Sequence, residues 1–321
     1  MYQEADMTLW QGRVDKEDTP ALRWHQVIQA WDTASALNES PILLGFRCDQ
    51  GVKRNGGRVG AKEGPIVIRK ALSNLAYHTD ITPFDAGDIV CEKGELESAQ
   101  EEYAELVYKI IQANGHLIGL GGGHEIAWGS FLGLTKSLGP DLQTKKIGII
   151  NFDAHFDLRK PKPLGNSGTP FRQIAEWCEQ ESLPFNYFVL GVNQSANTTA
   201  LYDFANKHGV QWIEDKDCSV TRFEQISNQL KQFLSKIDIL YFTICMDVFP
   251  AGHAPGVSAP ASLGVEPALI FKLLDVLRAQ CKELGVQWTH TDIAETNPGV
   301  DRDNQTAKLA ARLAHVLSHP N

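Results

Sequence analysis

The chain has no apolar run approaching the ~20 residues needed to span a bilayer. Its opening, Met1-Tyr2-Gln3-Glu4-Ala5-Asp6, is acidic and carries no apolar signal-peptide segment. Positive charge is also scarce: 30 Lys and Arg against 39 Asp and Glu give a formal net charge of −9. That balance argues against nucleic acid or an anionic membrane as partner. Six scattered cysteines (Cys48, Cys91, Cys178, Cys218, Cys245, Cys281) form no CxxC pair and no secreted disulfide framework. They read as reduced thiols of a cytoplasmic protein. There is no Gly/Ser linker, internal repeat or low-complexity tract to divide the 321 residues. One domain spanning 1–321 is expected, with residues 1–35, which include Trp10, Trp24 and Trp31, as an arm packed on it.

What is present is an alternation of strand-like and helix-like segments. Apolar runs predict strands at 42–46, 117–120, 147–152, 187–192, 237–246 and 287–293. Helical periodicity covers 61–76, 98–113, 125–138, 221–235, 267–284 and 303–317. The pattern favours the α/β class over α+β.

The most informative stretch is Asn151-Phe152-Asp153-Ala154-His155-Phe156-Asp157. It follows the β-branched run Ile147-Gly148-Ile149-Ile150, which reads as a buried parallel strand. Alternation puts Asp153, His155 and Asp157 on one side of an extended segment. Metal-capable groups at the carboxyl end of a strand stand where open α/β sheets place ligands. Three further segments share the pattern. Leu117 to Leu120 runs into Gly121-Gly122-Gly123-His124-Glu125, whose glycines permit positive φ and close backbone approach. This run lacks the lysine and hydroxyl residue of a phosphate loop. Thr243-Ile244-Cys245-Met246-Asp247 puts Cys245 and Asp247 on one face, and Asp292-Ile293-Ala294-Glu295-Thr296-Asn297-Pro298 leaves the last strand.

GGGHE, NFDAHFD, TICMD and DIAETNP, in this order between Gly121 and Pro298, resemble the four signatures of the arginase-type ureohydrolases. The resemblance implies a three-layer α/β/α fold around a mostly parallel, eight-stranded sheet. Gly45-Phe46-Arg47-Cys48-Asp49, Arg54-Asn55-Gly56-Gly57-Arg58 and His253-Ala254-Pro255-Gly256 resemble the formimidoylglutamase branch. Gly123 and Glu125 stand where arginases and agmatinases usually have aspartate and serine. The implied reaction is hydrolysis of N-formimidoyl-L-glutamate to L-glutamate and formamide, in histidine degradation. The rival readings are another ureohydrolase, of agmatinase or guanidinobutyrase type, and a metal-free arginase-like binding protein.

Carried over by motif, one metal would be held by His124, Asp153, Asp157 and Cys245, the second by Asp153, His155, Asp247 and Cys245. Hard oxygen ligands suit Mn²⁺, two per subunit. A hydroxide shared by the two ions would attack the formimidoyl carbon. Asp247 would carry a proton to the leaving amine, and Glu295 would pair with the planar amidinium. Arg58, Arg159, Asn166 and Asn193 are the candidates for the substrate's carboxylates. Ser167 stands where arginase-like enzymes often carry a shuttling histidine, and serine does not titrate near neutrality. Cys245 replaces the family's bridging aspartate, so a soft thiolate is expected in a hard-metal site. Cys48, just past the first strand, is expected to lie within disulfide reach of Cys245. Among the remaining histidines, His253 is a candidate for the pocket and His290 is expected to pack in the core. His25, His78, His116, His208, His315 and His319 are expected to be structural or solvated. Family members are commonly homo-oligomers, and the same is expected here.

Overall fold

The computed structural model describes residues 1–16, 21–33 and 35–318, so His319 lies outside the described residues. In chain order the strands are β1 (Tyr2–Gln3), β2 (Gln29–Ala30), β3 (Pro41–Arg47), β4 (Phe84–Val90), β5 (His116–Gly121), β6 (Ile147–Phe152), β7 (Asn186–Val192), β8 (Gln211–Glu214), β9 (Ile239–Cys245) and β10 (Gln287–Ala294). The helices are α1 (Trp24–Val27), α2 (Gln50–Arg54), α3 (Gly64–Ser73), α4 (Leu96–Gln112), α5 (Ile126–Leu138), α6 (Pro170–Gln180), α7 (Thr199–Lys207), α8 (Phe223–Leu234), α9 (Pro267–Leu284) and α10 (Gln305–Leu317). All six expected strands form, and β1, β2, β4 and β8 are additions to them.

Eight strands run parallel in the order β4-β3-β5-β10-β9-β6-β7-β8. Among the described residues the sheet holds ten strands in all, two more than the eight expected. The two-residue strands β1, antiparallel, and β2, parallel, are appended to β4. β6 and β9 are buried along their whole length because helices cover both faces. Ile150 and Phe152 point into a core shared with α3, α8, α9 and α10, while Ile147 and Ile149 face α5, α6 and α7. Leu117 of β5 meets α4 in a third cluster with Tyr103 and Leu106. The fold is therefore a three-layer α/β/α sandwich. Among the described residues, no helix is long and apolar enough to cross a membrane.

Two helices show how local chemistry sets boundaries. The segment expected to be helical from 61 divides into a 3₁₀ turn at Ala61–Glu63 and α3, which has Pro65 in its first turn, where a missing N–H costs nothing. α9 ends at Gly285, whose φ of 70° is the left-handed conformation that closes a helix at low steric cost.

β4 has the sequence FDAGDIV, and its two carboxylates lie inside the protein. The Arg69 guanidinium answers both, donating to Asp85 at 2.9 and 2.8 Å and to Asp88 at 2.7 Å. Trp10 Nε1 donates to the same Asp85 at 2.9 Å, which ties the N-terminal residues to the sheet. Removing the cation would leave two buried carboxylates uncompensated. Arg69→Met is expected to destabilise the fold by about 3–5 kcal/mol. The check is equilibrium denaturation against wild type, and a loss below ~1 kcal/mol would contradict this account.

Candidate metal centre

β5, β10, β9 and β6 are consecutive in the sheet, so the four sequence motifs arrive side by side at the carboxyl ends of neighbouring strands. Register aligns them further. Asn151 pairs opposite Thr243, and Ala294 opposite Cys245. Asp153, at the first step beyond β6, is fixed by its N–H on Leu190 O at 2.9 Å. Its Oδ2 lies 2.9 Å from His124 Nδ1, and Asp157 Oδ2 lies 3.0 Å from the same nitrogen. His155 Nδ1 lies 3.1 Å from Asp247 Oδ2 and 3.5 Å from Asp153 Oδ1. Two donor groups result, each with ligand atoms within 4.8 Å of one another: His124, Asp153 and Cys245, and Asp153, His155 and Asp247. Asp153 belongs to both.

Asp157 and Glu295 have φ of 49° and 70°, in the left-handed region that non-glycine residues enter at a cost of about 1–3 kcal/mol. Both belong to the site, where such strain concentrates. Glu295 is held by its N–H on Gly122 O at 2.7 Å. Its Oε1 in turn accepts the His124 N–H at 3.0 Å.

The electrostatics are those of carboxylates and imidazoles crowded together and buried. Burial opposes a charge on His124, yet Asp153 and Asp157 hold its ring well above the ordinary imidazole range. His155 is raised in the same way, against burial, by Asp247 and Asp153. Burial and then Asp153 push Asp157 up to about 6, and the same two causes raise Asp247. Glu295 is driven well above the usual carboxylate range by burial, Glu125 and Asp247. The Cys245 thiol is raised by burial and then by Asp247, Asp153 and Glu295. Only Asp153 is lowered, because its two histidine contacts outweigh its burial.

His124 Nδ1 approaches two carboxylates closely but makes no hydrogen bond of acceptable geometry among the described residues. Asp247 Oδ1 and Glu295 Oε2 are likewise buried without a partner. Groups that converge without aiming at one another fit a common cation between them. A carboxylate-rich set with imidazole suits divalent ions that favour oxygen, Mn²⁺ among them. The residues present fit a pair of such ions.

Of these groups, His124, His155, Asp157, Cys245 and Asp247 open into a cleft of about 340 Å³ that Arg58, Arg159, Ser167, Ser258 and Glu295 also line, with Asp153 buried behind them. Arg58 is anchored, its N–H on Ser258 Oγ at 2.9 Å and its Nε on Ser258 O at 3.0 Å. Asn297 Nδ2 holds the Arg58 carbonyl at 2.9 Å. Arg159 is exposed, with its backbone N–H on Gly168 O. Asn166 and Asn193 are not in the cleft lining. The Asn166 side-chain oxygen accepts from Gly168 N–H, and that of Asn193 from Ser195 N–H and hydroxyl, so both shape loops. His253 also stays outside the lining, 3.9 Å from Glu266, and His290 is buried and stacked on Tyr241 at 4.4 Å.

Several contributors were not singled out from the sequence. Asn151 Nδ2 donates to Asp153 Oδ2 at 3.0 Å and to Tyr187 Oη at 2.9 Å. Thr243 Oγ1 lies 3.1 Å from His124 Nε2 and so orients the ring from behind. Both residues precede a motif ligand by two positions on a strand, and alternation alone placed them on the ligand's face. The glycine run needs no positive φ, since Gly121, Gly122 and Gly123 are absent from the positive-φ residues. It is required by contact: a Cβ on Gly122 would meet Cys48 O at 1.7 Å, and one on Gly123 would meet Glu125 Oε2 at 2.0 Å. Gly123 and Glu125 thus depart from the arginase pattern together. The carboxylate at 125, which accepts the Gly51 N–H at 2.7 Å, leaves no room for a side chain at 123.

The expected pairing of Cys48 with Cys245 is overturned. β5 and β10 lie between β3, which carries Cys48 at its end, and β9, which carries Cys245. Three strand spacings amount to ~14 Å, about twice the ~7 Å limit for a disulfide. The thiol that stands beside Cys48 is Cys91, at the end of the neighbouring strand β4.

The model of the Arginase family matches residues 39–319. A formimidoylglutamase of Ralstonia nicotianae is 45% identical over 315 residues, covering 98% of this chain and 95% of that protein. One of Chromobacterium violaceum is 47% identical over 315 residues, covering 98% of each. Among solved structures, a formimidoylglutamase of Bacillus subtilis superposes with a TM-score of 0.80 at 21% identity, covering 95% of this chain and 94% of that one. A Trypanosoma cruzi formiminoglutamase with Mn²⁺ gives 0.78 at 22% identity, covering 94% and 100%. At these identities the two structures speak for the fold.

Proposed function

The chain belongs to the arginase family, and from that premise we propose that it hydrolyses N-formimidoyl-L-glutamate to L-glutamate and formamide. One observation carries the reading: the unpartnered Glu295 Oε2 shares a single cleft with the metal donors and with Arg58 and Arg159. That charge layout mirrors a substrate with a planar cation at one end and two carboxylates at the other. The near-full-length likeness to formimidoylglutamases supports the same substrate.

Two Mn²⁺ ions, one held by His124, Asp153, Asp157 and Cys245 and the other by Asp153, His155, Asp247 and Cys245, would lower the pKa of a water towards neutrality and supply the nucleophile. The chain's own groups do the rest. Glu295 Oε2 accepts the amidinium N–H groups and turns the formimidoyl carbon towards the metals. Its other oxygen stays on His124 N–H, so substrate binding and metal-ligand placement share one side chain. Arg159 holds a carboxylate as a forked donor, and Arg58, whose Nε and Nη2 are held by the Ser258 and Val257 carbonyls, adds its Nη1–H groups. Asp247 Oδ1 carries a proton to the departing amine. Asn151 and Thr243 keep Asp153 and His124 in place throughout.

The test is product analysis with reduced, manganese-loaded protein. Equimolar formamide and glutamate are expected from N-formimidoyl-L-glutamate, with no urea from arginine or agmatine. Urea from either guanidine compound, without formamide, would reassign the substrate. Metal-loaded protein that cleaves none of the three would reject the proposal.

A further inference from the structure

Cys48 and Cys91 stand side by side just past the ends of two neighbouring parallel strands. The last paired residues of β3 and β4 are Arg47 and Val90. The Cys91 N–H continues this ladder onto Arg47 O at 3.1 Å. The next opposed positions are therefore Cys48 and Cys91. A strand spacing of ~4.8 Å falls within the Cα separation of about 4.4–6.8 Å that a disulfide requires. Cys48 is buried in the cluster between the sheet and α4, and Cys91 packs against the same cluster.

Their surroundings differ from those of the other four cysteines. Cys48 is buried and Cys91 half-buried, and both border a cavity of about 570 Å³ that is separate from the metal cleft. Lys53, Lys62 and Lys93, all exposed, line it together with Arg47, which is paired to Glu63 at 3.2 Å. Asp49 is in the same lining and Glu63 answers Arg47, so the three lysines leave the cavity net positive in a chain of net charge −9. The contact between the two draws the Cys91 thiol below its ordinary range and, with burial, drives Cys48 well above its own, whereas burial pushes Cys178, Cys218 and Cys281 up to about 12.

We propose that Cys48 and Cys91 form a redox-active dithiol that closes to a disulfide when a small anionic disulfide, such as oxidised glutathione, enters the lysine-lined cavity. The more accessible Cys91 thiolate attacks one sulfur of the oxidant, forming a mixed disulfide and expelling one thiolate. Cys48 gives up its proton, through solvent, to that leaving group and attacks the Cys91 sulfur. The S–S bond forms as the second small thiolate departs, taking up from solvent the proton that Cys91 had released. Two protein S–H groups are oxidised and one external disulfide is reduced to two thiols, so the exchange balances. The bond takes no sulfur from the metal donors, and Cys245 remains free.

The experiment treats the full-length protein with oxidised glutathione, blocks free thiols under denaturing conditions, and maps disulfides by peptide mass spectrometry. A Cys48–Cys91 cross-link is expected, with the other four cysteines alkylated and the link reversed by dithiothreitol. In C91S, oxidation of Cys48 should slow by at least about 10-fold, because no neighbouring sulfur remains to attack. C91S must retain the wild-type circular dichroism spectrum, and if it does not, the wild-type map decides alone. A Cys48–Cys245 link, or six free thiols in the treated wild type, would overturn the proposal.

Discussion

Asp153→Asn is expected to empty the metal centre and reduce hydrolysis by more than about 10³-fold, well beyond the 10–100-fold typical of losing an outer partner. The side chains are isosteric, so the effect comes from charge and hydrogen-bond polarity. Asp153 Oδ2 accepts from Asn151 Nδ2 at 3.0 Å, and Oδ1 accepts from His155 N–H at 2.7 Å. Either orientation of an amide would set its NH₂ against one of these donors. The same residue belongs to both donor groups, so neither metal position is spared. The check is metal content by mass spectrometry together with product release. A variant that binds two ions per chain and retains a tenth of wild-type activity would show that Asp153 is not a shared ligand.

Glu295→Gln is expected to behave differently: metal content holds while kcat/KM for N-formimidoyl-L-glutamate falls by roughly 10²–10³-fold, the range for removing one partner of a buried charge pair. The glutamine carbonyl can still accept the His124 N–H, so the metal loop stays supported. What disappears is the negative charge opposite the amidinium, and an NH₂ group now faces its N–H donors. The loss should be greatest in kcat/KM, with little change in thermal stability. Glu295→Ala separates the two duties of the side chain, because it also abandons His124 and should lower metal content. If Glu295→Gln retained wild-type kcat/KM, Glu295 would only support the loop.

The motif residues were legible because each segment brings its groups within a few residues of a strand end, and parallel neighbours then align them. His124, Asp153, His155, Asp157, Cys245, Asp247 and Glu295 all meet there. β4 was not legible, because Asp85 and Asp88 interrupt its apolar pattern. Their partner Arg69 lies on a helix, and nothing in the sequence announces that three-way pairing. β8 has four residues and one half-buried face, too short to show a period. The unread β4 also explains the error over Cys48. Without that strand Cys91 had no register position, and Cys245 was the thiol that the motifs brought to notice. Asn166 and Asn193 were chosen as polar residues on the right loops. Asparagine in a loop as readily bonds its own backbone, and both do so here.

The two short strands appended to β4 bear on how copies of this chain can meet. Phe84 and Asp85 are paired by β2, Asp88 and Ile89 by β1, and the Val90 N–H is taken by Met1 O. A bare edge on a sheet this wide would offer itself to the same edge of another molecule and invite fibrous growth. Here the N-terminal residues occupy that edge, held by Trp10 on Asp85. Self-association by sheet continuation is closed on this side, so an assembly that buries this flank must do so through side chains.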